Sequence, residues 1–366
     1  MERVDVIVVG AGPAGSSAAR AAAEGGARTL LLDHRTELGH PVQCGEFVPT
    51  PAELADLFDC PDLIQRAFDL PPETILRSTR YMSCVSPYGH RFRFPLAGAT
   101  VSRRSFDKAL AYRAEGAGAE LRFPLGVTRV QGSTVRTADG EEIEGRVVIG
   151  ADGPLSIVAR SVGQPRPRTL YRMITATVDG GLDDEIDLFF GRDAPGGYAW
   201  AFPRAHDLNV GLGVTRIPRG RSLGGLLDRF LAHRGFGPAR EPTRWWVPIG
   251  TPPDSLVHGP ILLAGDAAQL VMATNGGGIP TAMLSGWLAG EAAARTIRDG
   301  TPLAAYDTAW RSALYGPLAR AAAIQEWSDP YTVFDPVLAL GMRYIGARGL
   351  DAMMRLRWPG RRGVEA

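Results

Sequence analysis

Three glycines near the amino terminus have the spacing of a phosphate-binding turn. Gly10, Gly12 and Gly15 form a G-x-G-x-x-G pattern between an apolar run at residues 4–9 and an alanine-rich segment at residues 14–24. The first glycine permits a tight turn, the second leaves room for a pyrophosphate, and the third lets a helix pack closely against a strand. The start of that helix offers free N–H groups to phosphates. The pattern predicts a dinucleotide-binding strand–turn–helix unit; a glycine-rich helix start without a ligand is the alternative.

A carboxylate follows the next apolar run. Residues 29–32 end at Asp33, near the usual distance of about 20 residues beyond the glycines. A carboxylate at this position accepts hydrogen bonds from a ribose hydroxyl. The glycines and this acid are common to FAD and NAD sites, so they leave the choice of dinucleotide open.

Two later segments are candidates to complete the site. Gly265 and Asp266 follow an apolar run at residues 261–263, and α/β sheets bind ligands beyond the carboxyl ends of their strands. Glycines 276–278 then lead into a predicted helix whose N–H groups could face an anionic flavin edge. A dehydrogenase that uses only NAD needs no such second set. Asp152 follows another short strand in the sequence GADG, which is also a common turn.

Two further groups are candidates for contact with a substrate. Tyr198, Trp200 and Phe202 alternate within PGGYAWAFP, so on a strand they share one face. We interpret this face as a cavity wall because prolines and glycines flank it; an aromatic core face is the alternative. Cys44 and Glu46 lie in a loop after Asp33, where either could donate a proton. A single cysteine is also commonly a small buried apolar residue.

The segments around these residues predict an alternation of helices and strands. The strands near residues 4, 29, 145 and 261 are expected to lie in one sheet. Helices are expected at residues 14–24, 51–70, 105–117 (with Ser105 as the amino-terminal cap), 156–162, 223–233, 279–298, 304–327 and 336–356. A hairpin is expected at residues 79–94, and strands at 120–136, 145–150, 170–214 and 261–263.

Composition narrows the class of protein. The chain has 366 residues, 45% hydrophobic and 22% charged, which suits a globular protein of one large or two interleaved domains. A net charge of +1 indicates no general attraction to nucleic acid. The three cysteines form no C-x-x-C pair, so neither a disulfide framework nor a metal site is expected. We find no signal peptide and no apolar run of about 20 residues, and expect a cytoplasmic protein.

Taken in order, these motifs resemble those of the geranylgeranyl reductase family, FAD flavoproteins of the p-hydroxybenzoate hydroxylase-like group. The resemblance extends from residue 4 to about residue 290. Asp33 departs from it, because glutamate is more usual there, and the chain beyond residue 290 matches no motif of the family. The motifs are GAGPAG, PVQCGE at 41–46, R-x-x-F-D at 103–107, GADG at 150–153, PGGYAWAFP and GDAA…GGGI.

The resemblance implies FAD as cofactor. It places Cys44 and Gly45 near the flavin ring and makes Tyr198, Trp200 and Phe202 part of the wall of a long apolar cavity. The residues expected to contact FAD are Gly10, Gly12, Pro13, Ala14, Gly15, Asp33, His34, Arg35, Cys44, Gly45, Arg103, Asp152, Gly265, Asp266, Gly277, Gly278 and Ile279.

The resemblance also implies an activity, hydride addition to C=C bonds of a prenyl chain on an isoprenoid lipid or quinone. Cys44, Glu46 or water would supply the proton. The alternatives are an FAD-dependent monooxygenase that hydroxylates an aromatic small molecule or protein side chain, and a flavoprotein that binds a lipid or partner without turnover. We see no second dinucleotide motif, so we expect electrons from transiently bound NAD(P)H or a carrier protein.

The expected fold is α/β, a Rossmann-like FAD-binding domain interleaved with an α+β substrate domain that contains an antiparallel sheet. We assign residues 1–75, 98–165 and 255–300 to the FAD-binding domain, 76–97 and 166–254 to the substrate domain, and 301–366 to a C-terminal helical region.

The tail at 343–366 carries six arginines among apolar residues. It could lie on an anionic membrane as a basic amphipathic end; a solvated terminal helix is the alternative. The arginines are Arg343, Arg348, Arg355, Arg357, Arg361 and Arg362, and the interleaved residues are Met353, Met354, Leu356 and Trp358.

Overall fold

The computed structural model describes residues 1–181 and 184–360, and within them the chain forms three β-sheets. The strands are β1 (Glu2–Arg3), β2 (Val6–Val9), β3 (Thr29–Leu32), β4 (Phe47–Pro49), β5 (Ile75–Val85), β6 (Arg91–Val101), β7 (Glu120–Arg122), β8 (Val127–Gln131), β9 (Thr134–Thr137), β10 (Glu142–Glu144), β11 (Val147–Gly150), β12 (Thr169–Asp179), β13 (Glu185–Phe190), β14 (Tyr198–Pro203), β15 (Asp207–Val214), β16 (Arg240–Ile249), β17 (Val257–His258) and β18 (Ile261–Leu263).

Helices lie between and around these strands. They are α1 (Pro13–Glu24), α2 (Pro51–Leu57), α3 (Pro61–Ala67), α4 (Arg103–Gly116), α5 (Ile157–Ser161), α6 (Leu223–Arg234), α7 (Ile279–Asp299), α8 (Ala305–Trp310), α9 (Gly316–Ser328) and α10 (Asp335–Met354). Short 3-10 turns occupy Pro72–Thr74, Gly265–Ala268 and Asp329–Val333, and a π-helical turn occupies Arg311–Tyr315.

The central sheet joins segments that are distant in sequence. Its order is β17-β18-β11-β2-β3-β7, and every neighbouring pair is parallel except β17 with β18. Strands β2, β3, β11 and β18 are buried along their whole length, as the apolar strands of parallel sheets are. The expectation that these four strands share one sheet is confirmed.

Helices α1 and α7 pack so closely that their backbones are nearly in contact. A β-carbon at Gly286 would lie 2.1 Å from the carbonyl oxygen of Ala14, and one at Gly290 would lie 2.2 Å from that of Ala18. The small residues of α1 and these two glycines therefore allow a contact that larger side chains would prevent. This packing holds the amino-terminal ends of α1 and α7 near the same edge of the sheet.

A second, eight-stranded sheet has the order β16-β12-β15-β14-β13-β5-β6-β4. Its pairs are antiparallel except the parallel pair β13 and β5. Alternate residues of β14 face opposite sides: Ala199 and Ala201 pack with α6, whereas Trp200 and Phe202 face the main core. The shared face of the three aromatic residues and the hairpin at 79–94 are both confirmed, the hairpin as the longer pair β5 and β6. The third sheet, β1-β10-β9-β8, is small.

Three predicted helices differ from the structure. The helix expected at 51–70 is two short helices, because Pro61 cannot donate the hydrogen bond that would continue the first and instead starts the second. The helix expected at 304–327 is divided by the π-helical turn. Helix α10 contains a break at Gly346, with φ 65° and ψ −171°.

The tail is anchored more firmly than its composition suggests. Met354 and Leu356 are buried, so they do not belong to an exposed apolar face. The Arg355 side chain donates hydrogen bonds to Glu53 and Asp351, which ties the end of α10 to α2. Arg361, Arg362 and Glu365 lie outside the described residues. Among the helices that are described, none has the length and hydropathy needed to cross a bilayer.

The amino-terminal cap of α4 is Ser102, so the prediction of Ser105 was wrong. Ser102 has extended backbone angles, and its hydroxyl accepts the N–H of Ser105 at 3.3 Å. Ser102→Ala should therefore lower the free energy of unfolding by about 1 kcal/mol. Ser105→Ala is the matched control: it removes the 3.3 Å contact between the two hydroxyls but keeps the N–H that Ser102 accepts, so it should change this free energy by less than about 0.5 kcal/mol. Urea unfolding of the FAD-loaded protein, followed by circular dichroism, measures both, and equal losses would contradict this assignment.

Candidate active site

A cavity of about 890 Å³ lies between the carboxyl edge of the central sheet and one face of the eight-stranded sheet. It brings together nearly all of the residues that the sequence predicts for the site. The predicted residues that line it are Gly10, Gly12, Pro13, Ala14, Asp33, His34, Arg35, Cys44, Gly45, Glu46, Arg103, Asp152, Tyr198, Trp200, Phe202, Asp266, Gly277, Gly278 and Ile279.

Two predicted cofactor contacts lie behind the cavity wall instead. A β-carbon at Gly15 would lie 1.7 Å from the carbonyl oxygen of Gly10, so this glycine allows α1 to pack on the turn. Gly265 has φ 61°, and a β-carbon there would lie 2.8 Å from that of Ala14. Both residues shape the site through packing.

The first two glycines of the turn differ in their surroundings. Gly10 has φ 100°, and a β-carbon there would lie 2.4 Å from the carbonyl oxygen of Ala151, so the backbone itself requires glycine. A β-carbon at Gly12 would meet no atom within 4 Å, although Gly12 lines the cavity. This open space beside the start of α1 fits the pyrophosphate of a dinucleotide.

Two acids next to this turn already bond to the protein. The buried Asp33 carboxylate accepts the N–H of Ala11 at 2.7 Å and that of Arg35 at 2.8 Å, which holds the turn against β3. Asp152 accepts the Ser156 hydroxyl at 2.5 Å and the Ile157 N–H at 2.6 Å, and so caps α5. Burial raises the pKa of Asp152, and these hydrogen bonds oppose that rise.

Asp266 is different, because its carboxylate has no hydrogen-bond partner among the described residues although it lines the cavity. Burial raises its pKa to about 6, and the charge of Arg103 opposes the rise. A β-carbon at Gly278, at the start of α7, would lie 3.1 Å from Asp266 Oδ1. A carboxylate without a partner, beside a helix start kept open by glycine, fits a ligand hydroxyl such as those of the FAD ribityl chain.

The Cys44 thiol lies in the loop that joins the two halves of the cavity. Its sulfur accepts the N–H of Glu46 at 3.1 Å, and the Arg103 guanidinium lies beside it. Burial raises the pKa of the thiol, and Arg103 opposes the rise. The thiol therefore keeps its proton at neutral pH and can donate it.

Glu46 is an anchor, which makes it a poorer candidate for the proton donor. It has φ 70°, a strained conformation for a residue with a side chain, and is 1% exposed. Its carboxylate accepts the N–H of Arg103 at 3.0 Å and the side-chain N–H of Asn209 at 3.0 Å, with Arg204 at 3.5 Å. These partners occupy the carboxylate and fix the loop between β3 and β4.

Arg103 combines several functions at this point. Its guanidinium pairs with the buried Asp107 through two hydrogen bonds of 2.7 and 2.8 Å. The pair keeps the arginine rigid. Its backbone N–H binds Glu46, and its side chain lies beside Cys44, so one residue positions both ends of the loop motif.

The aromatic wall is larger than the sequence predicts. Trp200 lies 6.2 Å from both Tyr198 and Phe202 between ring centroids, and 6.1 Å from Trp245 of β16. The Tyr198 hydroxyl donates a hydrogen bond to the carbonyl oxygen of Asn275, which ties this wall to the glycine-rich segment before α7. Trp245 and its neighbour Trp246 both line the cavity and were missed, because a Trp-Trp pair in a strand does not by itself indicate a cavity wall.

Asn209 of β15 was also missed. It is the one strongly polar side chain in the run LNVGLGV, and that was the signal available in the sequence. Its side-chain N–H groups bind the carbonyl oxygen of Cys44 and the Glu46 carboxylate, each at 3.0 Å.

Comparisons with known proteins find relatives in sequence and in structure. The sequence model of the FAD dependent oxidoreductase family matches residues 5–41. The sequence model of the geranylgeranyl reductase catalytic domain matches residues 168–242. The digeranylgeranylglycerophospholipid reductase of Methanothrix thermoacetophila is 35% identical over 89% of this chain and 87% of its own length. Digeranylgeranylglycerophospholipid reductase 1 of Methanothermobacter thermautotrophicus is also 35% identical, over 81% of this chain and 78% of its own length.

Solved structures share the fold. A geranylgeranyl bacteriochlorophyll reductase-like protein from Thermoplasma acidophilum superposes with a TM-score of 0.82 at 24% identity, over 99% of this chain and 94% of its own. A probable FAD-dependent monooxygenase from Pseudomonas aeruginosa superposes with a TM-score of 0.67 at 18% identity, over 93% of this chain and 100% of its own.

Fold, site and matches together define an FAD-dependent oxidoreductase. Among these enzymes, the chain belongs to the geranylgeranyl reductase family, so the resemblance noted in the sequence is confirmed. The family comparison also confirms FAD as the cofactor.

The open space at Gly12 gives a direct test of where FAD lies. Gly12→Ala should fold normally, because nothing in the protein opposes the methyl group, but should weaken FAD binding by about tenfold or more. Gly116→Ala is the matched control, since Gly116 is also in open space but on the exposed end of α4. Apoprotein titrated with FAD and followed by flavin fluorescence gives both affinities. Unchanged affinity in Gly12→Ala would place the pyrophosphate elsewhere.

Proposed function

We propose that this enzyme reduces C=C bonds in a prenyl chain carried by an isoprenoid lipid or a quinone. The observation that carries the proposal is the position of Cys44, a protonated thiol between the dinucleotide turn and a wall of aromatic rings in one cavity. The relatives at 35% identity are named as reductases of a digeranylgeranyl phospholipid, which supports a prenyl substrate.

The chain's residues divide the binding of FAD among several elements. We assign the pyrophosphate to the turn at Gly10 and Gly12 with the start of α1, and a ribose to Asp33. Asp266 would hold the ribityl hydroxyls, and the N–H of Gly278 would face the flavin edge. The Gly277 N–H is donated to Asn275 Oδ1 at 2.9 Å, so Gly277 would line the flavin edge without offering this donor. His34, Arg35 and Ile279 line the same path. When bound and reduced, FAD supplies the hydride for one alkene carbon.

The apolar half of the cavity would hold the prenyl chain. Trp200, Phe202 and Trp245 present rings, and Met173 and Leu188 present aliphatic side chains on the same side. These surfaces exclude water and restrict the chain to positions beside the flavin. Holding the reacting atoms within about 3–3.5 Å of each other is the main contribution that such a wall makes to the rate.

Proton transfer would fall to Cys44. The thiol gives its proton to the alkene carbon that does not receive hydride, and the guanidinium beside it stabilises the thiolate left behind. Because the pKa of the thiol is raised, the proton is available at and below neutral pH, and activity should fall as pH rises through that pKa. Glu46 holds the loop in place.

We also propose the domain division predicted from the sequence, at residues 1–75, 98–165 and 255–300 for the FAD-binding domain, 76–97 and 166–254 for the substrate domain, and 301–366 for the C-terminal region. The strand arrangement supports this division, although β4, within the first segment, joins the larger sheet.

For the electron donor we propose NAD(P)H or a carrier protein. Mixing the FAD-loaded enzyme with each candidate donor in turn, and measuring which one reduces the flavin, would decide between them.

Anaerobic turnover with chemically reduced enzyme tests the activity. Incubation with a prenylated glycerophospholipid or quinone should give products heavier by two hydrogens per alkene, seen by mass spectrometry. Cys44→Ala should lower this rate by about 100-fold, the usual contribution of a positioned acid, with FAD content unchanged. Cys60→Ala is the control, since Cys60 lies outside the cavity lining. Product formed only with oxygen, with oxygen incorporated, would instead identify the monooxygenase.

A peripheral membrane contact would give access to such a substrate, and we propose that it uses the first half of α10. Val337, Leu340 and Tyr344 are exposed and spaced to share one face, with the exposed Arg343 beside them. The exposed Trp327 stacks near Tyr331 and Trp358, at 5.7 and 5.9 Å between ring centroids. Aromatic rings with arginine suit the headgroup region of an anionic bilayer.

Sedimentation with phosphatidylglycerol vesicles tests this contact. Leu340→Glu should reduce the bound fraction by about tenfold, because it places a negative charge at the centre of the apolar face. Tyr112→Glu is the control, an exposed ring on α4 outside this surface. Equal binding by both variants, or none by the unaltered protein, would exclude the proposed surface.

A further inference from the structure

Asn209 connects the proton-donor loop to the aromatic wall. It is 2% exposed, and its amide makes four hydrogen bonds. The nitrogen donates to the carbonyl oxygen of Cys44 and to the Glu46 carboxylate, both at 3.0 Å. The oxygen accepts the indole N–H of Trp200 at 2.9 Å and the hydroxyl of Thr175 at 2.8 Å.

The chemistry of these four partners determines the orientation of the amide. The Trp200 indole can only donate, whereas a backbone carbonyl and a carboxylate can only accept. The amide oxygen must therefore face the β-sheet and the nitrogen must face the loop. A residue with donors on one side and an acceptor on the other is needed here, and aspartate, leucine or serine would leave at least one buried partner without a hydrogen bond.

The loop held by Asn209 lies directly on the aromatic rings. A β-carbon at Gly45 would lie 2.8 Å from the Phe202 ring and 3.5 Å from the indole nitrogen of Trp200. The strained backbone of Glu46, with φ 70°, needs its side-chain partners to persist. Loss of the Asn209 amide would release one of them and also the Cys44 carbonyl.

We propose that Asn209 is a positioning residue, which fixes the Cys44 thiol relative to the wall that holds the substrate. This inference rests on the proposed function of Cys44, but the position of the thiol can be measured without turnover. Asn209 touches neither thiol nor reacting atoms; it acts through the backbone of Cys44 and the side chain of Glu46.

Asn209→Asp is the most selective test, because it keeps the shape of the side chain and the oxygen that accepts hydrogen bonds from Trp200 and Thr175. Only the donor side changes, to an oxygen that faces the Cys44 carbonyl and the Glu46 carboxylate. Asn209→Ser removes the contacts on both sides of the amide without adding a charge, and it serves if the aspartate variant does not fold. Thr175→Val is the matched control, since it removes a buried hydrogen bond from the opposite side of the same amide.

The first measurement is alkylation of Cys44 by iodoacetamide, followed by peptide mass spectrometry, with Cys60 as the internal reference. Thiol reactivity depends on access and on the thiolate fraction. We expect Cys44 to react about tenfold faster in Asn209→Ser and at the unaltered rate in Thr175→Val. The rise should be smaller in Asn209→Asp, because the added carboxylate disfavours the reactive thiolate. The second measurement is turnover, in which kcat should fall about tenfold or more with FAD affinity within about threefold of the unaltered enzyme.

The outcomes separate this inference from the proposed function. Unchanged Cys44 alkylation in a folded, FAD-loaded Asn209 variant overturns the inference, as does an equal change in Thr175→Val, which would make the network merely structural. Failure of the unaltered enzyme to reduce any prenyl substrate overturns the proposed function but leaves the alkylation result readable.

Discussion

The backbones of Gly10 and Ala151 approach too closely for any side chain to fit between them. A β-carbon at Gly10 would lie 2.4 Å from the carbonyl oxygen of Ala151, and one at Gly15 would lie 1.7 Å from that of Gly10. This junction holds the ends of β2 and β11 and the start of α1 in one place. The Asp33 carboxylate bonds to the next N–H of the turn, and the rest of the cavity is built outward from there.

The carboxylates around the cavity differ in whether the protein itself supplies their hydrogen bonds. Asp33, Asp152, Glu46 and Asp107 are bonded within the protein, which offsets the cost of burying their charge. Asp266 has no such partner among the described residues, and its pKa is raised to about 6. Asp266 therefore differs from these four acids, because its carboxylate faces the cavity without a hydrogen bond from the described part of the protein.

In the eight-stranded sheet, alternate side chains of β14 have different surroundings: one set packs against a helix and the other lines the cavity. On β14 the small Ala199 and Ala201 pack under α6, whereas the rings between them face the cavity. Proteins of this fold include monooxygenase-like and reductase-like structures, so the fold alone does not decide the reaction. The proposed reaction rests instead on the thiol of Cys44, whose loop is held by hydrogen bonds from Arg103 and Asn209.

Local patterns in the sequence were sufficient to predict the dinucleotide-binding unit, the strands of the central sheet and the face shared by Tyr198, Trp200 and Phe202. Apolar runs, glycine spacing and alternation report directly which residues are buried and where the chain turns. The sequence did not reveal that Glu46 is an anchor, that Ser102 caps α4, or that Asn209 and Trp245 belong to the site. The position of Asn209 depends on strand register: β14 and β15 pair Phe202 with Asn209 and Trp200 with Gly211, which brings the amide beside the indole and the loop. Periodicity specifies burial, but the partner of a buried polar group is decided only when distant strands align.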